Sequence, residues 1–163
     1  MSTHRRFDRT ARLFGDAGLA RLANSTVTVF GVGGVGSFAA EALVRSGVGR
    51  VILVDFDRIC VTNVNRQLPA LDGNIGRPKV AALTERVKLI NPACRVTAIS
   101  EFFTKETAAR LLEPKYDWVV DCIDLMSNKA LVIAECTQRG IRVATVGSAS
   151  PGCWVRLSLP RSG

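Results

Sequence analysis

The chain has 163 residues, 47% of them hydrophobic and 22% charged, and a net charge of +8. That length suits one domain with its own core, and the composition excludes a disordered or fibrous chain. No apolar run approaches the roughly 20 residues of a membrane helix, and the N-terminal MSTHRRFDRTARLFG lacks the apolar stretch of a secretory signal. A cytoplasmic protein with no membrane partner is therefore expected. Cys60, Cys94, Cys122, Cys136 and Cys153 form no CxxC pair and no zinc-like spacing, and their odd number argues against a disulfide framework. Most sit in apolar runs and read as buried structural thiols. The basic excess suits a polyanionic partner such as RNA, although aromatics are only 6% and no basic–aromatic alternation marks a base-stacking platform.

In chain order, RFDRTARLFGDAGLARLANS reads as one or two short helices ahead of the first strand. Strands are predicted at 26–32, 50–57, 95–100, 117–123 and 141–147, and helices at about 35–46, 77–90, 104–112 and 126–139. Thr104 is placed as an N-cap without a full capping box, and Asn91-Pro92 ends the second of these helices. The continuous apolar strands alternating with helices predict a Rossmann-like, doubly wound, mainly parallel α/β sheet covered on both faces. Residues 1–150 form the expected domain, incomplete at its C-terminal side, and 151–163 an irregular tail.

The first strand runs into GVGGVGS, where Gly31, Gly33 and Gly36 have the G-x-G-x-x-G spacing. Such a loop turns tightly, lets the backbone approach a phosphate and opens a helix whose N-terminal N–H groups hold it. Asp55, at the tip of the second strand, is spaced to accept a ribose hydroxyl. These features fit a dinucleotide and ATP equally. Cleaving ATP between its α and β phosphates needs cations and a metal ligand around the phosphates. TNVNRQL offers Asn63, Asn65, Arg66 and Gln67, Lys79 begins a helix, and DCIDLMSNK brings Asp121 and Asp124 to the carboxyl end of a strand. The only histidine is His4, so no hydride-transfer pair supports a nicotinamide dehydrogenase.

In order and spacing, GVGGVGS, LVDFD, TNVNRQ, GRPK and DCID resemble the ubiquitin-activating-enzyme-like adenylyltransferases, the ThiF, MoeB and HesA group. With RFDRT and GIRVATVG the resemblance covers about 6–147. It implies that Gly31, Gly33, Gly34 and Gly36 form the phosphate loop and that Asp55 holds the ribose of ATP. It further implies that Asn63, Arg66 and Lys79 contact phosphate, Gln67 supports the loop and Asp124 binds Mg²⁺. Arg9 would enter the ATP site of a second subunit, making the active unit a homodimer. Within the group, RFDRTARLFG, CVTNVNRQLPAL and DCIDLMSNK are most similar to the tRNA threonylcarbamoyladenosine dehydratases. The resemblance then implies ATP-dependent adenylation of a carboxylate on adenosine 37 of a tRNA, followed by ring closure with loss of water. Activation of a ubiquitin-like sulfur carrier, with sulfur-relay partners, is the alternative, and a non-catalytic nucleotide-binding fragment a further one. Leu125 stands where sulfur-carrier activators usually have Asn. Members of the group continue past residue 163, so an exposed apolar sheet edge is expected here. Cys153 reads as a tail residue, not a relay thiol.

Overall fold

The computed structural model describes residues 6–113, 116–146 and 155–158. In it, α1 (Asp8–Asn24) precedes β1 (Thr26–Phe30), α2 (Gly34–Arg45), β2 (Arg50–Val54), α3 (Lys79–Ile90) and β3 (Arg95–Ile99). There follow α4 (Lys105–Leu111), β4 (Trp118–Asp121), α5 (Met126–Gln138), β5 (Val143–Val146) and β6 (Val155–Ser158). The strands lie in the order β3-β2-β1-β4-β5-β6, with β1 to β5 parallel and β6 antiparallel to β5. The expected doubly wound α/β sheet is thus present, and β1 and β4 flank its topological switch point.

Strand alternation divides the core into two layers. Val27, Val29, Val51 and Leu53 pack with Val44 of α2 and Leu83 of α3. Phe30, Ile52, Val54 and Val119 pack on the opposite face with Leu111 of α4 and Val132 of α5. Each such buried side chain contributes about 1.5–3 kcal/mol. Both faces are covered, which is why the strands read as unbroken apolar runs.

The boundaries have local causes. β1 ends before Gly31, whose φ of 79° breaks the extended run. β2 ends before Asp55, because the next turn is closed by the Asp57 N–H donating to Asp55 Oδ1 at 2.8 Å. In α1 the backbone leaves helical geometry at Gly15, giving two helical pieces within one element. α4 corrects one expectation: its capping box is complete. The Thr107 N–H donates to Thr104 Oγ1, and the Thr104 N–H donates to Thr107 Oγ1 at 2.8 Å, so threonine does the work of the usual Glu or Gln.

A second correction concerns the tail. Residues 155–158 are not irregular but form β6, with Val143 opposite Ser158 and Val146 opposite Val155. β6 satisfies backbone groups along β5 and becomes the last strand of the sheet on that side among the described residues. The period-2 alternation of VRLS carries the strand signal. Cys153 lies outside the described residues. Cys94, Cys122 and Cys136 are buried as expected, whereas Cys60 is exposed.

Beneath the end of β4 sits a buried ion pair. Lys129 Nζ donates to Asp121 Oδ2 at 2.7 Å and to Thr145 Oγ1 at 3.2 Å, and the Thr145 hydroxyl also donates to Asp121. The side chains of Lys129 and Asp121 are 1% and 0% exposed. Lys129→Met alone, leaving the carboxylate unpaired, is expected to cost about 3–5 kcal/mol in urea unfolding. Pairing it with Asp121→Asn is expected to recover a large part of that loss. A single variant as stable as the wild type would show the pair to be dispensable.

Candidate nucleotide site

The loops after β1, β2, β3 and β4 meet at the carboxyl edge of the sheet around a cavity of about 360 Å³. A roomier groove lies between α1 and the sheet, lined by Phe14, Leu22, Trp118 and Val120. Most of its polar members are spent within the fold: Asn24 and Ser25 donate to the Ala20 and Leu22 carbonyls, Asp117 accepts the Thr26 N–H, and Arg142 lies over the Trp118 ring.

Gly31 and Gly36 make the glycine loop compact. A Cβ on Gly36 would fall 1.7 Å from the Gly31 carbonyl oxygen, and one on Gly31 would fall 2.9 Å from that of Cys122. By contrast, a Cβ on Gly33 or Gly34 would meet only ordinary contacts, at 3.5 Å from Gln67 and Arg66. The first pair serves the chain's own close approach, and the second leaves space on the cavity side. α2 starts at Gly34 with no side-chain cap and no acidic residue in its first turn. Its leading N–H groups and the positive end of its dipole are therefore available to an anion.

Asp55 joins two loops. Its Oδ2 accepts the Val32 N–H at 2.7 Å and its Oδ1 accepts that of Asp57. Burial raises its pKa above the ordinary aspartate value, while those two backbone donors and the Lys79 charge oppose the rise. Lys79, first residue of α3, donates its backbone N–H to the Asp57 carbonyl and its ammonium to Asp57 Oδ2 at 2.6 Å.

Seven predicted residues, Gly31, Gly33, Gly34, Asp55, Gln67, Lys79 and Asp124, share the cavity wall. Gly36, Asn63 and Arg66 stand behind it. Asn63 is buried and its Oδ1 accepts the Cys60 N–H, which closes the turn carrying TNVNRQ. The exposed Arg66 guanidinium donates to the Thr62 carbonyl and to Asn65 Oδ1, both at 3.0 Å. The Leu68 N–H donates to Ser37 Oγ, tying this turn to α2. Gln67 Oε1 is buried with no hydrogen-bond partner among the described residues. Arg9 lies exposed on α1 and is not part of the wall.

Of the two acids in DCID, Asp121 is consumed by Lys129, whereas Asp124 reaches the cavity with no ion pair among the described residues. Asp121 Oδ1 also accepts the Ile123 N–H at 3.1 Å, bracing the segment that carries Asp124. Cys122 forms part of the floor, its thiol pushed up to about 12 chiefly by burial.

Three of the wall residues outside the predicted set bear on the site's chemistry. Asp57 is the partner of Lys79, and Phe56 and Phe102 meet edge to face at 4.6 Å at the cavity mouth. Phe56 stands between two aspartates just past a strand, an apolar residue where a polar loop begins, and that contrast is the signal that finds it. The T-shaped contact of Phe103 with Phe30, at 4.8 Å, pins the β3 side of the mouth. The cavity therefore offers an anion seat, a cation, a ribose-type acceptor, a free carboxylate and an aromatic rim.

Comparison with known proteins agrees with this composition. A family model described as ThiF family matches residues 7–161. A tRNA threonylcarbamoyladenosine dehydratase of Haemophilus influenzae is 49% identical over 144 residues, covering 88% of this chain and 55% of the relative. One from Bacillus subtilis is 48% identical over 145 residues, covering 88% and 57%. The crystal structure of the Escherichia coli tRNA N6-threonylcarbamoyladenosine dehydratase in complex with ATP superposes with a TM-score of 0.86 at 44% identity. It covers 87% of this chain and 58% of that one. The chain thus spans little more than half the length of the relatives it matches.

Gly36→Ala tests the loop. The added methyl must push the Gly31 carbonyl aside, at an expected cost of about 1–3 kcal/mol by urea denaturation. Gly33→Ala is expected to leave stability within about 0.5 kcal/mol. Equal losses at both positions would contradict the division of roles between them.

Proposed function

Because the chain belongs to the ThiF family, we propose that its cavity binds ATP and uses it to adenylate a carboxylate carried by a tRNA. That carboxylate belongs to the threonylcarbamoyl group on adenosine 37, and ring closure with net loss of water follows. The observation that carries this reading is one cavity holding an uncapped helix N-terminus, Lys79 and the free carboxylate of Asp124. A hydride carrier needs only its pyrophosphate covered, whereas a triphosphate that is to be split needs cationic and metal-binding groups as well. The named activity of the relatives supports the choice of substrate, and the ATP complex of the Escherichia coli protein supports the choice of nucleotide.

In this reading Asp55 accepts the ribose hydroxyls, the aromatic rim of Phe56 and Phe102 takes the base, and the N–H groups at the start of α2 hold the phosphates. Lys79 balances charge that builds on the leaving pyrophosphate. A bond forms between the tRNA carboxylate oxygen and the α-phosphorus while the bond from that phosphorus to pyrophosphate breaks. The side chain's own nucleophile then attacks the activated carbonyl and AMP departs. A carboxylate oxygen is a poor leaving group and AMP a good one, so activation precedes closure. The protein's part is positioning and charge stabilisation.

Asp124 suits Mg²⁺, which takes one or two carboxylates and otherwise phosphate oxygens and water. When bound, that ion neutralises phosphate charge. The +8 balance gives the tRNA an attractive surface. A second copy of the chain, with Arg9 reaching across, is the proposed assembly, and the cytosol, where tRNA and ATP meet, the proposed location.

ATP–pyrophosphate exchange in the presence of threonylcarbamoyl-modified tRNA is the direct test, with Asp124→Ala expected to abolish it. Exchange that depends on a ubiquitin-like carrier instead of tRNA would establish the alternative substrate. ATP binding with no exchange under either substrate would identify a nucleotide-binding module without catalysis. Titration offers a separate check on Asp55. Its raised folded-state pKa means that it protonates above the ordinary aspartate value of about 3.9 as pH falls. Adenosine affinity, measured calorimetrically, is expected to weaken in that higher window. Over the same window this group makes the fold more stable, because the native state takes up the proton first. Asp55→Asn is expected to remove the step.

A further inference from the structure

The Lys79 side chain is 7% exposed, and its ammonium contacts Asp57, whose side chain is 44% exposed. Both line the cavity. An ammonium withdrawn from water needs an anionic partner, and among the described residues Asp57 is the one that touches it. The two neighbouring aspartates differ in how they are held. Both oxygens of Asp55 are taken by backbone N–H groups. Among the described residues the Asp57 carboxylate is held by the ammonium alone, while its main chain is fixed separately. The Asp57 N–H goes to Asp55, and its carbonyl accepts the Lys79 N–H at 3.0 Å. The carboxylate can leave without disturbing the frame that places Lys79.

We propose that Asp57 is a displaceable counter-ion: its carboxylate holds the Lys79 ammonium in the free protein and gives it up to the nucleotide's phosphates. This rests on Lys79 being the phosphate cation of the site. An incoming phosphate competes with a carboxylate already in place, so the pair favours anions of higher charge than a carboxylate. It gives no advantage to an uncharged nucleoside. Asp57 is thus a positioning residue acting through Lys79, and its effect follows the phosphate.

The test compares ATP and adenosine binding by calorimetry for the whole chain and for Asp57→Asn, Asp57→Glu, Lys79→Met and the Asp57→Asn/Lys79→Met double variant. Removing the carboxylate that competes with the phosphates for Lys79 is expected to tighten ATP binding about three- to thirtyfold, with adenosine affinity unchanged. Asp57→Glu is expected to restore the wild-type ratio of the two affinities. In the Lys79→Met background Asp57→Asn is expected to lose most of its effect. Unchanged or weaker ATP binding by a folded Asp57→Asn protein would overturn the proposal, as would a parallel change for adenosine. Should the amide variant fail to fold, Asp57→Ser, which keeps the same main-chain frame, is read by the same criteria. Lys79→Met with undiminished ATP affinity would sink the reading of Lys79 itself. A weakened Lys79→Met beside a neutral Asp57→Asn would sink only the counter-ion.

Discussion

The geometry of the cavity depends on how the carboxylate of Asp55 is held. One oxygen accepts from Val32 at the head of the glycine loop, the other from Asp57 in the next loop. Those two loops come from different strands, and this one side chain sets their spacing. Asp57 in turn fixes the start of α3 through its carbonyl, so Asp55, the glycine loop and Lys79 share one hydrogen-bonded frame. Hydrogen bonds to an ionised acceptor are about twice as strong as neutral ones, which suits a carboxylate kept this far from water. The same bonds oppose the upward pull of burial on Asp55 and help to keep it ionised.

A second carboxylate plays a parallel part on the other side of the switch point. Asp121 is sealed from solvent, neutralised by Lys129 and used to brace the backbone of Ile123. Asp124, three residues later, has no ion pair among the described residues, because its neighbour has absorbed the structural duty. The DCID motif thus holds two acids of identical chemistry and opposite fates. Burial and one lysine from the first two turns of α5 decide which becomes structure and which remains available.

Much of this was legible in the sequence. Unbroken apolar strands alternating with helices dictated the doubly wound sheet, and the G-x-G-x-x-G spacing placed the tight turn that leads into α2. Local signals failed where the determining contact was distant in the chain. Nothing local to Asp121 says that it meets Lys129 and Thr145, so both acids of DCID stood as candidates for the ligand edge. Asp57 is separated by 22 residues from the lysine it pairs with, and Phe56 meets Phe102 only once β2 and β3 lie side by side. The tail was misread for a different reason. Its four-residue alternation is too short to outweigh the Pro and Gly around it until β5 supplies an edge to pair with.

The buried thiol in the cavity floor has a chemical consequence of its own. An acyl adenylate is a potent electrophile, and a thiolate beneath it would be the most dangerous nucleophile in reach. Burial holds Cys122 in its protonated form far above neutral pH. An activated acyl group formed in this cavity would therefore rest above sulfur that does not attack it. Under the proposed chemistry, the small apolar filler set against the close-packed backbone there would be tolerable because burial keeps it protonated, and such an intermediate would be spared capture by the protein.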